Sequence, residues 1–352
     1  MQAERLGDVR RILVLSRNRI GDCLLTTPLL RALKRRFPRA HLAVSVPPCN
    51  QDLLSTNPHV DEIVLRPEIK RWGAKIRFAL QIRRGGYDLI ISCQEKSAFY
   101  AWATWYSALC SPRRPVTVGL NHRLTRRWYQ HNVPVIPDQH EVYKYLDIAE
   151  LLGCPRERRP VLELIPPRDA QERVAQILGE QGVHPDAHFI GINPGGSTPD
   201  KRWPVERFAE VAERLHRELG LPVMVFGGPG DHDRASEIVA QMEHRPLVVA
   251  GRVSLGDTGA LLERCQWLVT GDTGPMHMAV ALAVPVVALF GPTSPIKFGP
   301  FTTLKTVLRH DYPCPACQLP CLHTIMPDEV VEAALKLYSA PPVRRVPTDP
   351  RR

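Results

Sequence analysis

Residues 11–37 read RILVLSRNRIGDCLLTTPLLRALKRRF, and this stretch decides the fold. An apolar run, Arg11–Leu15, has the length of a buried parallel strand. It gives way to a polar turn, Ser16 to Asp22, and then to Leu24, Leu25, Leu29, Leu33 and Phe37 at a spacing near 3.6 residues. That period predicts one amphipathic helix with its leucines inward and Arg31, Lys34, Arg35 and Arg36 on the solvent face. Strand, turn and helix in this order form the first half of a strand–helix–strand unit.

The same alternation continues outward. Strands are expected at Leu42–Val46, Glu62–Leu65, Leu89–Ser92 and Val116–Gly119. A second series follows at His188–Asn193, Pro222–Phe226, Leu247–Val249, Trp267–Thr270 and Pro285–Leu289, with helices near Val205–Leu219, Ala235–Met242 and Pro275–Ala283. Between the series, Pro155, Pro160, Pro166 and Pro167 mark an exposed connection. The expected architecture is α/β, with two Rossmann-like, doubly wound parallel-sheet domains over residues 1–160 and 161–340. Residues 341–352, rich in proline and arginine, read as a mobile tail.

Charge separates the halves. Residues 1–160 hold 27 Lys and Arg against 14 Asp and Glu, whereas residues 161–352 hold 19 against 22. A basic amino-terminal half suits an anionic partner. No run of 18 apolar residues predicts a membrane span, and the nine scattered cysteines fit reduced thiols in the cytoplasm. The aromatic run Phe99, Tyr100, Trp102, Trp105 and Tyr106, beside Arg113 and Arg114, reads as core or as a contact with a lipid surface.

Three segments carry chemistry. Gly21 and Asp22 follow the first strand, at the sheet edge where ligands bind; Asp22 can serve there as a helix cap or as a reactive carboxylate. Asn193 to Pro204 contains Gly195, Gly196, Ser197, Thr198, Lys201 and Arg202, a phosphate-loop candidate. In residues 269–278, VTGDTGPMHM, a strand ends and a helix opens; Asp272 or Thr273 can cap it, and free amides near Gly274 and Met276 can hold an anion, with His277 one turn further in. The aspartates of residues 227–233, GGPGDHD, read as a capped turn rather than a metal site. Cys314, Cys317, Cys321 and His323 have ligand-like spacing for zinc or an iron–sulfur cluster and stay a weaker alternative.

The blocks Ile12–Leu33, Gly191–Ala212, Leu268–Gly291 and Cys314–Val331, in this order, resemble the heptosyltransferases of glycosyltransferase family 9. The resemblance implies a GT-B fold whose amino-terminal domain takes the acceptor, whose carboxyl-terminal domain holds the nucleotide-sugar, and whose domains face across a cleft. It implies Asp22 as general base, with Arg17, Arg19 and Gly21 on the acceptor side. Ser197, Thr198, Lys201, Asp272, Thr273, Gly274, Met276 and His277 would hold the donor, ADP-L-glycero-D-manno-heptose. It further implies inverting transfer without a metal or cofactor, onto an anionic lipid-linked oligosaccharide of the lipopolysaccharide inner core. The enzyme would be cytoplasmic, in peripheral contact with the inner membrane, and would not engage nucleic acid. A UDP-N-acetylhexosamine donor, or a non-catalytic basic protein binding glycan or nucleic acid, are the other readings.

Overall fold

The computed structural model describes residues 9–67, 72–184, 187–311 and 321–339. The chain divides into two compact units, with the boundary between Glu163 and Leu164.

In the first unit the elements run β1 (Arg11–Leu15), α1 (Ile20–Leu24), α2 (Thr27–Arg36), β2 (His41–Val46), β3 (Glu62–Leu65) and α3 (Trp72–Arg84). They continue as β4 (Leu89–Ser92), α4 (Ala98–Cys110), β5 (Val116–Leu120), β6 (His131–Val133) and α5 (Glu141–Leu151). The six strands form one sheet in the order β3-β2-β1-β4-β5-β6, with parallel pairing throughout. β1 and β4 are buried along nearly their whole length, which is why they read as continuous apolar runs. One face of the sheet packs Leu13, Leu15 and Ile90 against Phe78, Ala79 and Ile82 of α3 and Tyr100 and Ala103 of α4.

The second unit runs α6 (Arg168–Glu180), β7 (Phe189–Asn193), α7 (Val205–Leu219), β8 (Val223–Val225), α8 (His232–Gln241), β9 (Leu247–Val248) and α9 (Leu255–Leu262). It continues as β10 (Cys265–Gly271), α10 (Gly274–Ala281), β11 (Val286–Leu289), α11 (Pro295–Phe298), β12 (Lys305–Leu308) and α12 (Pro327–Ser339). Its sheet order is β12-β11-β10-β7-β8-β9, so counted from its own first strand it repeats the order of the first unit. Trp203, buried against Phe208, donates its indole N–H to Ile325 O at 3.2 Å and so ties the start of α7 to the segment before α12.

Three expectations are corrected. The helix predicted through Leu24–Phe37 is broken into α1 and α2, because Thr26 and Thr27 turn their hydroxyls back onto Cys23 O (2.6 Å) and Leu24 O (2.8 Å). Arg31 does not lie on the solvent face. It is 4% exposed, with Glu157 and Glu163 each within 2.6 Å of its guanidinium, so it clasps the chain that leaves α5. Lastly, β6 and β12 escaped notice because each is an edge strand with polar, partly exposed residues and no apolar run.

The Arg31 cluster has a measurable consequence. Arg31→Ala removes the cation shared by the two carboxylates, leaving Glu157 to Arg35 at 3.0 Å and Glu163 to His59 at 3.4 Å; breaking a fully buried pair costs roughly 3–5 kcal/mol. Since both glutamates keep about a fifth of their side-chain surface in water, we expect a loss nearer about 2 kcal/mol, read as a lower denaturation midpoint with an unchanged m-value.

Candidate active site

In each unit the chain order of the strands reverses at one place, between β1 and β4 in the first unit and between β7 and β10 in the second. The loops that leave the carboxyl ends of two such strands diverge to opposite faces, and a ligand can enter between them. The segments singled out in the sequence follow three of these four strands.

After β1 the chain passes through Ser16 to Arg19 and enters α1, whose N-cap is Arg19. Asp22 is therefore a residue of the first helical turn, not the cap, and Gly21 is helical rather than part of a tight turn. Asp22 is 8% exposed, and Arg17 Nη1 lies 3.2 Å from its Oδ1. The same Arg17 nitrogen is 3.1 Å from Oε2 of Glu141, at the start of α5. Lys144, one turn on, reaches Glu141 at 2.6 Å and Glu95, beyond β4, at 3.0 Å. A chain of alternating charge thus runs Asp22, Arg17, Glu141, Lys144, Glu95. The loop backbone is fastened from behind: Arg66 and Gln94 both donate to Ser16 O, and Asn50 donates to Asn18 O. Arg19, by contrast, is exposed.

Burial pushes the Asp22 carboxyl above the ordinary carboxylate value; Arg17 pulls the other way without cancelling the effect, and Glu141 adds to the rise. At Glu95 burial also works against the charge, yet Lys144 outweighs it and holds the group below the usual range. Two carboxylates in one network are thereby driven apart, Asp22 upward and Glu95 downward.

In the second unit β7 ends at Asn193, directly opposite Thr270 of β10. The Asn193 amide donates to Thr270 Oγ1 and to Thr273 Oγ1, both at 2.9 Å, and the two threonine hydroxyls are 3.0 Å apart. Thr273 is the N-cap of α10, but its side chain is spent on this triad and makes no cap hydrogen bond. The amides of Gly274 and Met276 in the first turn are then served by no capping side chain, with the positive end of the helix dipole behind them.

Lys201 ends a 3₁₀ turn, Pro199–Lys201, and its ammonium is 2.8 Å from Asp272 Oδ2. The pair keeps 21% and 14% of its side-chain surface exposed, so the lysine is positioned but still reachable. Gly196 makes this packing feasible: a Cβ there would come within 2.7 Å of Lys201 O. Ser197 and Thr198 are exposed on the same loop.

Several sequence-level assignments change. Arg202 spends its Nε on Gly196 O at 2.9 Å, and Arg234 braces the loop through Pro194 O and Trp203 O. Met276 buries its side chain against Ala288 and Phe290, so only its backbone can meet a ligand. His277 is 4% exposed. Asp231 accepts from Gly228 N at 2.9 Å and so closes the turn before α8; it is the N-cap residue of that helix, but its side chain makes no cap hydrogen bond to it. Cys314 and Cys317 lie outside the described residues; Cys321 is half-buried and His323 exposed. Glu141, Lys144 and Glu95 were missed altogether, since nothing local marks them.

Two Rossmann-order sheets in one chain, each with a polar segment at its switch point, are the architecture of the GT-B class. The comparisons narrow the class. A model of glycosyltransferase family 9 (heptosyltransferase) matches residues 75–322. Lipopolysaccharide heptosyltransferase 2 of Salmonella typhimurium is 30% identical over 321 residues, 85% of this chain and 88% of that protein. Lipopolysaccharide heptosyltransferase 3 of Escherichia coli K12 is 27% identical over 80% of this chain and 83% of its own length. Among solved structures, a family 9 glycosyl transferase from Veillonella parvula superposes with a TM-score of 0.83 at 28% identity, covering 94% of this chain and 97% of that one. The E. coli ADP-heptose lps heptosyltransferase II gives 0.78 at 26% identity, covering 93% and 98%. The chain belongs to glycosyltransferase family 9.

The charge chain predicts a pH signature. A base must be ionised to act, so kcat/KM is expected to rise with pH through the elevated Asp22 value, with its acidic limb above the ordinary aspartate value of about 3.9. Glu141→Gln removes a repelling neighbour and frees Arg17 for Asp22, so the limb is expected to move to lower pH. A pH–rate profile of the two proteins reads the shift.

Proposed function

We propose that this enzyme transfers heptose from ADP-heptose to a phosphorylated, lipid-linked acceptor of the lipopolysaccharide inner core, at the cytoplasmic face of the inner membrane. The observation that carries the reading is the 30% identity to lipopolysaccharide heptosyltransferase 2 over 85% of this chain and 88% of that protein.

In this reading the acceptor hydroxyl approaches Asp22. Arg17 holds Oδ1 and leaves Oδ2 to receive the proton as the hydroxyl oxygen attacks the anomeric carbon. The bond from that carbon to the diphosphate breaks on the opposite side, the configuration inverts, and ADP leaves. Lys201 and the amides opening α10 take up the charge that develops on the leaving diphosphate, as preset donors do most effectively. Ser197 and Thr198 add neutral donors. Asp272 sets the Lys201 ammonium in place, and Asn193 locks Thr273 so that the helix opening keeps its shape. The excess of positive charge in the amino-terminal half supports an anionic acceptor there.

The test is a donor panel: ADP-heptose, UDP-N-acetylglucosamine and GDP-mannose, each offered with an inner-core acceptor and followed by mass spectrometry. Transfer from ADP-heptose alone is expected. Transfer from a uridine donor in preference would replace the donor assignment while leaving the fold and the base untouched.

A further inference from the structure

Lys144 is 5% exposed, and a buried ammonium is costly unless its charge is met where it lies. It donates to two carboxylates, Glu141 Oε1 at 2.6 Å and Glu95 Oε2 at 3.0 Å. Glu141 is 4% exposed and divides its oxygens: Oε1 takes Lys144, whereas Oε2 accepts the hydrogen bond of Arg17 Nη1. Asp22 faces that same nitrogen at 3.2 Å as an ion-pair neighbour. Two carboxylates therefore compete for one guanidinium, and α5 holds a cation against the competitor. Glu95 follows β4, which pairs with β1 at the reversal of strand order, so the charges join the two strand ends between which a ligand can enter. The other titratable neighbours stay out of this competition. Burial pushes the thiols of Cys23 and Cys93 up to about 12 and raises the Tyr145 hydroxyl, so all three are neutral. Arg19 and Lys96 are exposed, and His140 accepts from Val142 N as the cap of α5.

We propose that Lys144 and Glu95 are positioning residues of the transfer reaction, which act on Asp22 through Glu141 and Arg17 by setting how Arg17 divides between the two carboxylates. The more completely Lys144 neutralises Glu141, the less Glu141 claims of Arg17, and the more Arg17 favours the ionised form of Asp22. Glu95 draws Lys144 the other way. The strength of the base is thus adjusted from a carboxylate that lies three partners along the chain of charge. This inference rests on the reading of Asp22 as the base, and its test includes a variant that checks that reading by itself.

The experiment is the pH profile of kcat/KM for the full chain, with ADP-heptose and a deacylated, water-soluble inner-core acceptor. Lys144→Met is expected to move the acidic limb up by about half a pH unit, because Glu141 then draws harder on Arg17. Lys144→Arg keeps the charge and is expected to restore the wild-type limb. Glu95→Gln leaves Lys144 wholly to Glu141 and is expected to move the limb down by a smaller shift. With 19% of its side-chain surface exposed, Glu95 carries the test alone if Lys144→Met does not fold. In the Lys144→Met background the Glu95→Gln shift is expected to vanish, since its route to Asp22 is cut. A limb that stays in place in both single variants while their melting temperatures fall makes both residues structural and overturns the proposal. So does a Glu95→Gln shift of equal size in both backgrounds, the sign of a direct field. Asp22→Asn checks the base: an acidic limb that persists in it strikes the base reading and this inference with it, whereas a limb lost with Asp22 but unmoved by the other changes strikes the inference alone.

Discussion

Asp22→Asn is expected to lower turnover by on the order of a hundredfold or more, the usual cost of losing a general base. The amide has the size of the carboxylate and can keep its oxygen beside Arg17, whose Nη1 donates to Glu141, so the loop between β1 and α1 keeps its shape. What disappears is the capacity to take a proton. Removing a buried charge whose ionised form is disfavoured by burial does not threaten the fold, and the melting temperature and ADP affinity are expected to stay close to the wild type. Steady-state kinetics and ADP titration on the same preparation measure both. Turnover within a few-fold of the wild type would take Asp22 out of the chemistry and return it to a purely electrostatic role beside Arg17.

Lys201→Ala is expected to weaken ADP binding by up to about a hundredfold, with a smaller effect on turnover at saturating donor. Two contributions add. A charge-assisted hydrogen bond is lost, worth roughly 1.5–3 kcal/mol. In addition Asp272, 2.8 Å from the lysine, is left as a bare carboxylate near the diphosphate. This second contribution makes a distinctive prediction: Lys201→Ala/Asp272→Asn should bind ADP better than Lys201→Ala alone. A calorimetric double-mutant cycle reads it directly. Equal affinities for the single and double variants would mean that the diphosphate lies elsewhere on the second unit.

The candidate segments were visible in the sequence because each is a local event. Leu15 to Asp22, Asn193 to Lys201 and Thr270 to His277 are strand ends running into helix or 3₁₀ starts, and glycine, proline and hydroxyl residues mark such junctions. Their detailed roles were not visible. Asp22 looked like a cap and is a buried member of a charge chain; Arg202 reads as a free cation and also braces the loop through Gly196 O; Thr273 looked like a capping side chain and is held by Asn193, 80 positions away.

What the sequence by itself determined is the alternation of strand and helix, the two-unit organisation and the place of the candidate segments at strand ends, since hydrophobic period and turn chemistry act over a few residues. Only the tertiary structure decided which strand ends meet at the reversals of order. It alone brought Glu95, Glu141 and Lys144 to Arg17 and Asp22, and buried Arg31 between two glutamates. Those partners lie tens to more than a hundred positions apart, and the free energy that pairs buried charges depends on their distance and on the water they lose, neither of which a local pattern records.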